Sequence, residues 1–100
     1  MGADVSIEDA QGYARTAALN ALAAIDSLVG LDSVSRVVKV VGFVSSAPDF
    51  VEQAEVINGA SDFIREVFGE AGTHARSAVG VAVLPKDSPV EVEVIVELSK

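Results

Sequence analysis

The sequence predicts an α+β domain in which one β-sheet carries two helices on one face, in the order α-β-α-β-β. Three observations lead there. Residues 6–29 and 49–68 repeat apolar side chains at helical spacing. Residues 36–45, 75–84 and 90–98 are valine-rich runs of strand length, bounded by Gly, Pro and Ser. A chain of 100 residues, half of them apolar, makes one domain spanning 1–100, whose core two helices and a sheet must share.

The first helix is expected to start at Ser6, whose hydroxyl can cap it, with Asp9 in an acidic first turn. Ile7, Ala10, Ala14, Ala17, Ala18, Ala21, Ile25 and Leu28 form its apolar stripe, and Glu8, Arg15, Asp26 and Ser27 lie off it. So many alanines imply a close approach to the layer beneath. Leu19 falls on the polar side, as a lone exposed residue or part of an interface. Gly30 stands where a left-handed residue ends a helix.

Within 36–45, Val37, Val38, Val40, Val41, Phe43 and Val44 are nearly continuous, the pattern of a strand covered on both faces. The helices cover one face. The other calls for something a single chain does not obviously supply.

The second helix is expected over 49–68, with Asp49 and Glu52 resembling a capping box. Its stripe is Phe50, Ala54, Ile57, Ala60, Ile64, Val67 and Phe68; Gly59 interrupts it at some cost in helix propensity, and Gly69 and Gly72 end it. The final two runs read as a hairpin closed by Pro85-Lys86-Asp87-Ser88-Pro89. Alternation assigns the valine faces (Val79, Val81, Val83; Val90, Val92, Val94, Val96) to the helices. It leaves Arg76, Ala78, Gly80 and Ala82, with Glu91 and Glu93, for solvent or for another subunit.

Composition narrows the function. There is no cysteine, hence no disulfide framework or thiolate nucleophile. No apolar run is long enough to span a membrane, and no secretory signal opens the chain, so a cytoplasmic protein is expected. Met1 to Ser6 matches the short myristoylation pattern, but no basic patch follows, and the match reads as chance. Seven basic against fifteen acidic residues give a net charge of −8, which opposes nucleic-acid binding. Neither a metal nor a cofactor is expected, since His74 is the one histidine and has no cysteine to pair with. Tyr13 is a boundary aromatic. Arg76 can hold a carboxylate through its guanidinium fork, or serve as a strand-end ion-pair residue. Glu91 is either a solvated strand residue or a group that places water.

The run Ala75-Arg76-Ser77-Ala78-Val79-Gly80-Val81-Ala82-Val83-Leu84-Pro85-Lys86, followed by Val90-Glu91-Val92-Glu93-Val94, resembles the C-terminal hairpin of the Rid family, also called the YjgF family. The resemblance extends back through Asp49-Phe50, residues 37–44 and the helix near Ser6-Ile7-Glu8-Asp9. It implies a chorismate-mutase-like fold and a homotrimer with sites at subunit interfaces. It also implies hydrolysis of 2-imino or 2-enamino acids to 2-keto acids and ammonia. In that scheme Arg76, with Ser77 beside it, binds the substrate carboxylate and Glu91 helps place the attacking water. The chain departs from the family at Ala78, where many members have cysteine, and at Gly80, where many have glutamate. Family members also begin with a hairpin whose tyrosine and Ser-Gly segment line the site, whereas Met1-Gly2 here leads almost directly into the first helix. The alternative reading is a non-catalytic homo-oligomeric module that binds small carboxylates or serves in assembly. Ribonuclease activity, described for some family members, has the charge against it.

Overall fold

The computed structural model describes residues 5–99; the myristoylation-like pattern therefore lies largely outside the described residues. Helix α1 (Ile7–Val29) leads into strand β1 (Val34–Ser45), then α2 (Gln53–Phe68), β2 (Ala75–Val81) and β3 (Val90–Leu98). The sheet order is β2-β1-β3, with β1 parallel to β2 and antiparallel to β3. The helices pack on each other and on one sheet face, α1 over β3 and α2 over β1 and β2.

The first helix begins and ends where its sequence dictates. Ser6 Oγ accepts from the Asp9 amide at 3.1 Å, and Gly30 closes the helix at φ +81° with its amide on the Asp26 carbonyl. The buried line is Ala10, Ala14, Ala18 and Leu22. Leu28, expected on the stripe, lies in the last turn of α1 and is 83% exposed. The alanines bring α1 close to α2, and the Gln11 side chain donates to the Glu55 carbonyl across the seam at 2.8 Å. Gly59 belongs to that seam, since a Cβ there would strike the Gln11 carbonyl.

The start of α2 differs from the expectation. The helix begins at Gln53, and Glu52 caps it with no side-chain bond, so Asp49 and Glu52 form no capping box. Residues 47–50 instead make a turn closed by the Phe50 amide on the Ala47 carbonyl. Gln53 fastens it, donating to the Phe50 carbonyl at 2.9 Å and to Ser46 Oγ at 3.2 Å.

Strand β1 is the centre of the sheet. Val37, Val40 and Val44 are fully buried beneath the helices, and burial of each such side chain is worth roughly 1.5–3 kcal/mol. A register shift between Val37 and Lys39 puts Val37 and Val40 on the same face despite their odd spacing. Val41 and Phe43 face the other way and stay half-buried.

Two expectations about the last strands are corrected. First, β2 and β3 are not a hairpin: β1 lies between them. The connection passes over the end of β1, where the Ser45 amide donates to the Pro89 carbonyl and the Ser46 amide to the Val81 carbonyl. Lys86 and Asp87 make the bend at φ near +57° and +56°. Strand β2 stops at Val81 because its neighbour stops at Ser45. Second, the face assignment holds for β3 and is reversed for β2. Val90, Val92 and Val94 stand opposite Val44, Gly42 and Val40, on the helix side. Arg76, Ala78 and Gly80 are the β2 residues opposite Val40, Gly42 and Val44, and so lie under α2 as well. A Cβ on Gly80 would meet the Gln53 side chain at 2.6 Å. Helix α2 rides so close that it demands small residues beneath it, while Val79 and Val81 turn to the open face.

Candidate active site

The polar centre of the molecule lies where α2 crosses the start of β2. Helical spacing puts Asn58 and Ser61 on the α2 side that overlooks β2. Ser61 sits between Ile57 and Ile64 in the apolar line and is fully buried. From β2, Arg76 reaches up: its Nη1 donates to Asn58 Oδ1 at 2.6 Å and to Ser61 Oγ at 3.4 Å. The loop entering β2 adds His74, whose Nε2 is 3.0 Å from Ser61 Oγ and whose Nδ1 is 2.5 Å from the Gly72 carbonyl oxygen.

The hydrogen bonds of Arg76 are all made by Nη1, and both acceptors are neutral. Among the described residues no carboxylate lies within ion-pair distance of it. The ordinary ion pair weighed for Arg76 is therefore not formed. Its Nη2 and Nε remain available, and a guanidinium offers two parallel N–H groups to a carboxylate from such an edge. Along the same face of β2, an open cleft of about 300 Å³ lies beside Gly80, with Ser46, Phe50 and Gln53 on its wall.

The other site residues read from the sequence are elsewhere. Ser77 stands opposite Val41 and Glu91 opposite Phe43, so both belong to the open face of the sheet, away from Arg76. The Arg76 and Glu91 backbones stand two strands and three residues apart, about 14 Å by sheet geometry. One chain alone does not bring them together. Tyr13 is half-exposed and lines a second open cleft, with Asn20, Ser88 and Val90.

Asn58 and Ser61 as partners of Arg76, with His74 behind Ser61, were not apparent from sequence. The available signal was Ser61 itself: a hydroxyl between Ile57 and Ile64 on the buried stripe requires a polar partner.

Residues 1–98 match the family model described as "YjgF/chorismate mutase-like, putative endoribonuclease". Among curated proteins, Protein TCP17 of Trypanosoma cruzi is 50% identical over 101 residues, which cover 99% of this chain and 63% of that protein. Among solved structures, the protein Atu1372 of Agrobacterium tumefaciens, of unknown function, superposes with a TM-score of 0.97 at 47% identity, covering all of this chain and 65% of that one. A putative endoribonuclease of Shewanella oneidensis superposes with a TM-score of 0.93 at 32% identity, covering 97% of this chain and 65% of that one. The chain thus spans just under two-thirds of the length of these relatives.

Proposed function

The chain belongs to the YjgF/chorismate-mutase-like family, and from that premise we propose that it is a Rid-type imine deaminase scaffold acting on small 2-imino or 2-enamino acids. The observation that carries the reading is the state of Arg76. It is held by two neutral acceptors on one nitrogen, has no acidic partner among the described residues, and keeps a donor edge free. An exposed arginine held in this way, with a donor edge open to solvent, is suited to a ligand carboxylate.

In the reaction, water adds to the C=N carbon and the nitrogen takes up a proton. The resulting carbinolamine collapses to a 2-keto acid with loss of ammonia. Imines are electrophilic enough that orienting the substrate and holding water beside it is the main task, and no nucleophilic side chain is required. Arg76 fixes the carboxylate, and Glu91 supplies the acceptor for water.

Because Glu91 and Arg76 lie on opposite sheet faces, this scheme needs a second subunit. We propose a homotrimer with the site at the interface. Support comes from the open face, where Val41 and Phe43 are half-buried and Val79 and Ile95 are 41% and 47% exposed. In this assembly the open face packs against neighbours, and the exposed Arg76 at the edge strand β2 meets Glu91 of another subunit.

The separation of Arg76 from Glu91 favours a second reading, a non-catalytic oligomeric module that binds small carboxylates. The endoribonuclease name of the Shewanella protein finds little support in this chain, given a net charge of −8 and exposed Glu91 and Glu93 on the open face. One assay separates the readings: 2-keto acid release from an imine generated in situ by an amino-acid oxidase, run beside an RNA cleavage control. Acceleration over buffer that is lost in Glu91→Ala supports the deaminase. Pyruvate binding without acceleration supports the module, and RNA cleavage without either supports the nuclease.

A further inference from the structure

The contacts behind Arg76 have a direction. The Gly72 carbonyl oxygen can only accept, so His74 Nδ1, 2.5 Å away, carries a proton. In the neutral ring Nε2 is then a bare acceptor, and Ser61, 3.0 Å away, donates its hydroxyl proton to it. The Ser61 oxygen is left with only lone pairs to offer, and Arg76 Nη1 donates into it from 3.4 Å. The sequence of donors runs from Arg76 through Ser61 and His74 to the Gly72 backbone, and every buried polar atom along it has a partner.

We propose that His74 is a positioning residue for Arg76, acting through Ser61 and never touching the ligand. A serine inside a helix has a competing option, since its hydroxyl can donate to the carbonyl one turn back, here that of Ile57. His74 removes that option by taking the proton. The Ser61 oxygen therefore stays turned toward β2, and Nη1 is clamped between Ser61 and the half-buried Asn58. Two fixed acceptors on one nitrogen set the plane of the guanidinium, and with it the direction in which Nη2 and Nε present themselves. With Asn58 alone, the side chain would regain rotamer freedom that a ligand must then remove on binding. The inference rests on the reading of Arg76 as the carboxylate anchor.

The test is calorimetric titration of the chain with pyruvate, using wild type, Arg76→Ala, His74→Phe, His74→Gln and Ser61→Ala, with folding checked by circular dichroism. His74→Phe and Ser61→Ala should each weaken pyruvate binding about five- to tenfold, the size expected for one lost hydrogen bond. A variant combining His74→Phe with Ser61→Ala should be no worse than either single one, because both break the same chain. In His74→Gln the amide oxygen can take the Ser61 proton in place of Nε2, and most of the affinity should return. Wild-type affinity in His74→Phe, alongside loss in Arg76→Ala, would overturn the positioning role and leave the anchor standing. Undiminished binding in Arg76→Ala, or no binding by wild type, would overturn both. If His74→Phe does not fold, His74→Gln decides: affinity near wild type supports the role, and a loss equal to that of Ser61→Ala overturns it.

Discussion

Alanine at Gly59 sets helix propensity against tertiary packing, and the two disagree in sign. Gly59 is inside α2, where alanine is the better helix former by about 1 kcal/mol. Its missing side chain, however, is where α1 passes. A Cβ would strike the Gln11 carbonyl oxygen and stand 2.8 and 2.9 Å from the Gln11 carbonyl carbon and Cα. Carbon atoms prefer about 3.5–4.0 Å, so the helices would have to part by roughly 1 Å. The obstacle is backbone and cannot rotate away, and the same movement strains the Gln11–Glu55 bond and the packing of Ala10, Ala14 and Ala60. Overpacking of this kind costs about 1–3 kcal/mol, and an immovable obstacle belongs in the upper half of that range. After subtracting the propensity gain, Gly59→Ala should destabilise by about 1–2 kcal/mol and lower Tm by about 5–15 °C for a domain this size. Gly12→Ala is the internal control: it lies inside α1 with nothing within 4 Å of its Cβ, and should stabilise by about 0.5–1 kcal/mol. Thermal unfolding by circular dichroism reads both. A Tm for Gly59→Ala at or above wild type would refute the close crossing of the two helices.

Arg76→Ala should abolish pyruvate binding while the fold persists, and Arg76→Lys should also bind poorly, because a point charge cannot reproduce the two-pronged contact; calorimetry checks both. Light scattering coupled to size exclusion should give the mass of a trimer at micromolar concentration, and a clean monomer would defeat the assembly. Ser6→Ala removes the acceptor for the Asp9 amide and should cost about 1 kcal/mol, read as a shifted denaturation midpoint at unchanged slope.

The sequence by itself determined the elements and the helix face of one of the three strands, β3. Periodicity found α1 and α2, Ser6 and Gly30 marked the ends of α1, and alternation turned Val90, Val92 and Val94 of β3 toward the helices. These are local matters, decided by spacing along the chain. Pairing is not local, and only the tertiary structure could place β1 between β2 and β3. A valine-rich strand, two turn prolines and another valine-rich strand spell a hairpin as readily as a crossing over a third strand's end. The orientation of β2 was also undecidable, since both of its faces are made of small or aliphatic residues. The closeness of α2, set by Gly80 and by Gln53 above it, selected the face of Arg76. With that selection came the candidate site. Arg76 could be recognised from its neighbours in sequence, but Asn58 and Ser61 lie 18 and 15 residues away from it. What makes them its partners is the depth at which one helix settles on one edge of a sheet, and that depth is a property of the packed molecule.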